Sequence, residues 1–160
     1  MQVSSVSYKF NQQFSVPAQE AFDWCTDYQP SDIALMGEAG KRKINKVTGD
    51  TVILEEQVVQ NGKTIKKLKL IKLNRRTLSW HNIQLQGPNK YSEFIYEIVS
   101  IGRRRSRLTF TGLLLVYAKK RINQQKLRQI ANTERTYDSR AWKRLARAMA
   151  EELRKTRKRQ

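Results

Sequence analysis

The sequence predicts an α+β domain: seven antiparallel strands in a meander, two short helices between the first strand and the second, and one long helix at the C-terminal end. Three observations carry that expectation. Residues 41–117 hold strand-length runs separated by turn signals at hairpin spacing. Residues 119–155 contain neither Gly nor Pro and are rich in helix formers. Residues 3–14 alternate with the period of a half-buried strand.

In that first strand Val6, Tyr8, Phe10, Gln12 and Phe14 share one side. Pro17 ends it and suits the first turn of a helix. Ala18, Ala21, Phe22 and Cys25 then recur at helical spacing, with Glu20, Asp23, Trp24 and Asp27 assigned to the opposite side. Cys25 is expected as a small core residue rather than a nucleophile. Pro30 opens a second short helix and Gly37 closes it.

The meander follows from its punctuation. Gly49-Asp50, Asn61-Gly62, residues 74–76, residues 86–90 and residues 102–106 mark five junctions between six strands. Phe94, Tyr96 and Ile98 share one strand face, as do Leu108, Phe110, Gly112, Leu114 and Val116 on the next. Gly112 in mid-strand would permit a strong bend. In the terminal helix, Leu127, Ile130, Ala131, Ala141, Trp142, Leu145, Ala148 and Met149 fall within about 60° of one line. Arg140, Lys143, Arg147 and Arg154 gather opposite. The expected domain spans 1–155, and 156–160 reads as a basic, frayed tail.

A chain of 160 residues fits one domain. Its single cysteine excludes an intramolecular disulfide, and the single histidine, His81, leaves no cluster with zinc-ligand spacing. No cofactor or metal is expected. The longest apolar run, "LLLVYA", is far shorter than the ~20 residues of a membrane span, and the N-terminus has no charged start followed by an apolar stretch. A soluble, reducing, cytoplasmic setting is the expectation.

The net charge of +18 is unevenly distributed. Residues 1–40 carry one base, Lys9, against five acids (Glu20, Asp23, Asp27, Asp32 and Glu38), whereas the remainder holds 31 bases against nine acids. A strong positive field over most of the surface would attract nucleic acid, anionic lipid or an acidic protein without choosing among them.

The stretch "FSVPAQEAFDWCTDYQP" (14–30), in this order of elements, resembles the START/Bet v 1-like superfamily, within its polyketide cyclase/dehydrase and lipid-transport branch. The resemblance implies a helix-grip fold, in which the sheet curls around the long helix and leaves an apolar cavity between them. It places Phe10, Phe94, Tyr96, Phe110, Leu114, Tyr137, Ala141 and Trp142 near that cavity. It implies a bound apolar or amphipathic small molecule, lipid- or polyketide-like.

Glu134 and Asp138 stand four residues apart on the apolar line of the terminal helix. In a continuous helix both carboxyls face the sheet, where burial and mutual repulsion raise their pKa and suit one of them to acid–base work; a bend near Asn132 and Thr133 would leave both at the rim. A cyclase- or dehydratase-type enzyme using this pair is one alternative function. Glu55 and Glu56 point to opposite strand faces, and His81 reads as structural. Gly-rich phosphate loops are absent.

Arg103, Arg104, Arg105 and Arg107 fall at the hairpin between strands six and seven. With Lys66, Lys67, Lys69, Lys72, Arg75, Arg76 and the helix bases Arg140, Lys143 and Arg147, they would form a surface that binds nucleic acid by counterion release, or an anionic membrane. A polyanion-binding module is therefore the other alternative. No sequence feature specifies an oligomeric state.

Overall fold

The computed structural model describes residues 1–160, apart from the side chain of Lys46. Its elements follow the expected order: β1 (Gln2–Phe14), α1 (Ala18–Cys25), α2 (Asp32–Leu35), β2 (Gly40–Thr48), β3 (Thr51–Gln60), β4 (Lys63–Asn74), β5 (Ser79–Gln86), β6 (Glu93–Gly102), β7 (Arg105–Ala118) and α3 (Gln124–Lys158). The strands form one antiparallel sheet in the order β1-β7-β6-β5-β4-β3-β2. Chain neighbours pair throughout β2–β7, and β1 returns to close against β7, from Gln2 opposite Ala118 to Phe14 opposite Ser106.

Turn chemistry sets this register. Asn61 and Gly62 both take positive φ, 51° and 71°, the conformation a two-residue hairpin loop requires. Register shifts at Leu68/Lys69 and Ser100/Gly102 add local twist, which helps the sheet curl.

The concave face packs two clusters, and α3 caps both. Phe22, Leu54, Ile71, Trp80, Leu108, Leu145 and Met149 belong to the larger. Val6, Tyr8, Phe110, Leu114 and Leu127 form the smaller, at the other end of α3. Asn123 caps α3 by accepting from the Lys126 amide at 2.8 Å. The helix runs unbroken for 35 residues, so no bend occurs at Asn132 and Thr133. It continues into the segment expected as a tail, where Arg157 pairs with Glu20 of α1 at 2.6 Å.

One local expectation is corrected, and Gly112 gains a contact that its position in the strand did not reveal. Trp24 lies buried rather than on an outer side, because α1 is covered by the sheet and by the end of α3; its indole N–H donates to Glu152 Oε2 at 2.9 Å. Gly112 stands directly across from Tyr8, and a Cβ there would lie 2.7 Å from Tyr8 Cζ. Its missing side chain makes room for the phenol.

Candidate functional site: a cavity between sheet and helix

A cavity of about 250 Å³ lies between the concave sheet and the middle of α3. One wall is aromatic. Trp80 and Tyr96 stack with ring centroids 4.7 Å apart, and Trp142 of α3 approaches Tyr96 to 5.7 Å. These rings come from inward positions of β5 and β6 and from the buried stripe of α3.

Another part of the lining is ionic. Glu56 sits in the inward phase of β3 with Val52, Leu54 and Val58, and its side chain is 3% exposed. Arg42 is its direct partner on β2 and Lys67 on β4, and Lys69, opposite Leu54, lies on the same face two residues along. Arg42 Nη2 and Lys69 Nζ each donate to Glu56 at 3.0 Å, while Arg42 Nη1 donates to Asp32 at 3.1 Å. Burial alone would raise Glu56, but the ammonium and guanidinium overcome it and hold the carboxyl at about 2. Asp32 is pushed up to about 6, because burial outweighs a guanidinium already shared with Glu56.

The α3 side carries the second polar group. Tyr8 donates to Asp138 Oδ2 at 2.5 Å. Burial pushes Asp138 up to about 6, with the Tyr8 hydrogen bond opposing and Glu134 adding to the rise. Burial also raises Glu134, opposed by Lys67. The Tyr8 and Tyr96 phenols are held well above their usual range by burial and by the Asp138 charge. A carboxyl that titrates near neutrality can take or give a proton inside the cavity. At the mouth, Tyr137 donates to Glu38 and Arg144 donates to the Met36 carbonyl at 3.0 Å, tying the segment after α2 to α3.

Six of the eight residues expected at the cavity line it: Phe94, Tyr96, Leu114, Tyr137, Ala141 and Trp142. Phe10 and Phe110 stack on each other at 4.7 Å behind the wall and belong to the filled core. Glu134 and Asp138 both line the cavity, as a continuous helix requires. The lining is not largely apolar, because inward positions of β3, β4 and β5 carry Glu56, Lys67, Lys69, Asn82 and Gln84. Lys67 and Lys69 accordingly leave the expected basic surface. Burial lowers the Lys67 ammonium's pKa, as does the Lys69 charge.

Arg103 and Arg104 form the exposed two-residue turn between β6 and β7, and Arg105 and Arg107 are exposed on β7. Arg140, Lys143 and Arg147 lie exposed along the outer face of α3. Arg104 lines a groove together with the helix bases Arg154, Arg157 and Lys158 and the apolar Val16, Ala150 and Leu153. His81 Nε2 lies 3.4 Å from Glu93 Oε2, and Cys25 packs beside the core with its thiol pushed up by burial. Among the described residues no group of His, Cys, Asp and Glu could hold a metal ion, and no helix is long and apolar enough to cross a membrane.

Sequence reasoning missed Arg42, Tyr8, Tyr28 and the Glu56 network. The one legible signal was Glu56 itself, an acid in the apolar phase of a strand, which requires a buried partner.

A curled antiparallel sheet gripping one long helix over a cavity is the helix-grip fold of START/Bet v 1-like proteins. Solved structures share it. The Zhui aromatase/cyclase from Streptomyces sp. R1128 superposes with a TM-score of 0.73 at 11% identity, over 93% of each chain. A START superfamily protein from Mycobacterium smegmatis gives 0.71 at 13% identity, over 92% of this chain and 98% of that one. Ara h 8.0201 gives 0.66 at 13% identity, over 92% and 99%. No protein-family model and no curated protein sequence matches the chain.

Proposed function

We propose that this protein binds an amphipathic small molecule in the cavity between the sheet and α3. The observation that carries this reading is a set of buried polar atoms without protein partners on the cavity lining: the Tyr28 hydroxyl, Asn82 Oδ1 and Arg42 Nε. Buried polar groups are normally paired, and each unpaired one costs about 1–3 kcal/mol. A ligand supplying complementary groups beside the Trp80–Tyr96–Trp142 wall would recover that cost. The shared fold with an aromatase/cyclase supports a ligand-holding role. Native mass spectrometry of freshly purified protein is the test: a retained small molecule is expected, and a bare chain that also takes up no amphipathic compound would sink the proposal.

A second reading is favoured by the groove where Arg104, Arg154, Arg157 and Lys158 surround an apolar floor. Together with the outer bases of α3 it would hold a polyanion by salt-sensitive contacts. An electrophoretic shift with mixed nucleic acid that weakens as salt rises supports it; unchanged mobility at the lowest salt removes it.

A further inference from the structure

We infer that the small molecule held in this cavity carries a positively charged amine. This deepens the cavity-binding reading and rests on it. The charge inventory of the cavity runs opposite to that of the chain. Five of the 14 acidic residues line it (Asp32, Glu38, Glu56, Glu134 and Asp138), against only three of the 32 bases (Arg42, Lys67 and Lys69). A strongly cationic protein has thus turned a net negative surface inward.

That negative surface is not used up by the fold. Arg42 and Lys69 are engaged by Glu56 and Asp32. Glu38, Glu134 and Asp138 remain at the α3 side, where Lys67 bears on all three and Lys69, already paired with Glu56, also bears on Asp138. The hydrogen bonds that Glu38 and Asp138 accept come from the neutral phenols of Tyr137 and Tyr8, so no ion pair neutralises either carboxylate and the two lysines offset their charge only in part.

Two further features suit a cation with N–H groups, while the unpartnered donor Arg42 Nε calls for an acceptor elsewhere on the same molecule. Trp80, Tyr96 and Trp142 line the cavity, and the ring faces outside the Trp80–Tyr96 stack carry the negative quadrupole that attracts ammonium groups. Asn82 Oδ1 is an unpartnered acceptor on a residue only 6% exposed, and the Tyr28 hydroxyl is unpartnered on a residue 8% exposed. An amine would donate to these oxygens while its charge faces the α3 carboxylates. A carboxylate or phosphate ligand would meet the same carboxylates as like charge.

The test uses three probes with one tail and different heads: phenylbutylamine, phenylbutanol and phenylbutyrate. All three tryptophans, Trp24, Trp80 and Trp142, line the cavity, so intrinsic fluorescence follows binding there, with calorimetry as the independent measure. The amine is expected to bind about tenfold or more tighter than the alcohol, with the carboxylate weakest. Attraction by the basic outer surface would give the reverse order, so it cannot mimic this result. An alcohol or carboxylate that equals the amine overturns the amine inference and leaves the cavity reading intact. Failure of all three to bind overturns the cavity reading as well. Combining Glu134→Gln with Asp138→Asn should bring the amine down towards the alcohol; a folded double variant that keeps the preference overturns the inference. If the double variant does not fold, Glu134→Gln alone serves, because among the described hydrogen bonds none involves Glu134; it should reduce the preference about threefold.

Discussion

Tyr8 and Asp138, 130 residues apart in the chain, meet at 2.5 Å, phenol to carboxylate, and so tie the first strand to the last helix across the cavity. A hydrogen bond to a carboxylate contributes about 1.5–3 kcal/mol, with the lower end suited to a partly buried site. Tyr8→Phe is expected to destabilise the fold by about that amount. It should also raise the Asp138 pKa further, because the phenol favours the ionised form. Chemical denaturation and a carbon-13 titration of the aspartates check both outcomes. An unchanged Asp138 titration would show that the contact does not persist in solution.

Asp138 also imposes a pH dependence. Its folded pKa, about 6, lies above the ~3.9 of an unfolded aspartate, so its contribution favours the fold below about pH 4 and fades as pH rises through 6. The groups facing it are Tyr8 on β1, Lys67 and Lys69 on β4, Tyr96 on β6 and Glu134 on α3. Asp138→Asn should remove that slope. Urea denaturation from about pH 4 to 7 should show the variant gaining about 2 kcal/mol on the wild type across this window. Parallel curves would remove the burial argument.

Glu56 behaves in the opposite sense. Held at about 2 when folded, it stabilises the protein above the ordinary glutamate range and loses that contribution as pH falls. Glu56→Gln leaves Arg42 and Lys69 without their shared carboxylate and is expected to cost about 3–5 kcal/mol. Adding Lys69→Met should recover part of the loss, since the stranded ammonium goes with it, whereas Arg42 keeps Asp32. A double variant as unstable as the sum of the single ones would show the network is not coupled.

Gly112→Ala would push a methyl group into the Tyr8 ring. Such overpacking costs about 1–3 kcal/mol, and the displaced phenol loses Asp138. In a Tyr8→Ala background the same substitution should cost much less. Equal costs in both backgrounds would show that Gly112 serves the strand's bend instead.

The Arg157–Glu20 pair is far weaker. Its side chains are 34% and 43% exposed, and Glu20→Gln should shift stability by less than about 1 kcal/mol. A larger loss would mean the α1–α3 junction depends on charge rather than on Trp24.

The element order was legible because its signals are local: Asn61-Gly62 closes its hairpin whatever surrounds it, and the apolar stripe of α3 needs only helical phase. The same phase carried Glu134, Asp138, Ala141 and Trp142 to the cavity once the helix proved continuous. Residues whose roles depend on packing depth were harder. Phe10 and Phe110 have the inward phase of cavity residues, yet each fills the other's space. Arg42, Glu56 and Lys69 meet only through cross-strand register, and a run of lysines in β4 reads as surface until the strand's inward face is known. Trp24 shows the same limit, because a helix covered on two sides has no polar side to assign.

The partners of Tyr8, Trp24 and Glu20 are Asp138, Glu152 and Arg157, all within the closing stretch of the chain. A ribosome therefore releases a pleated sheet whose inner surface stays bare until α3 has been made, at about 5–20 residues per second. Nascent protein of this design is exposed to chaperones and proteases for that interval, and loss of residues 137–160 would remove the lid from the core.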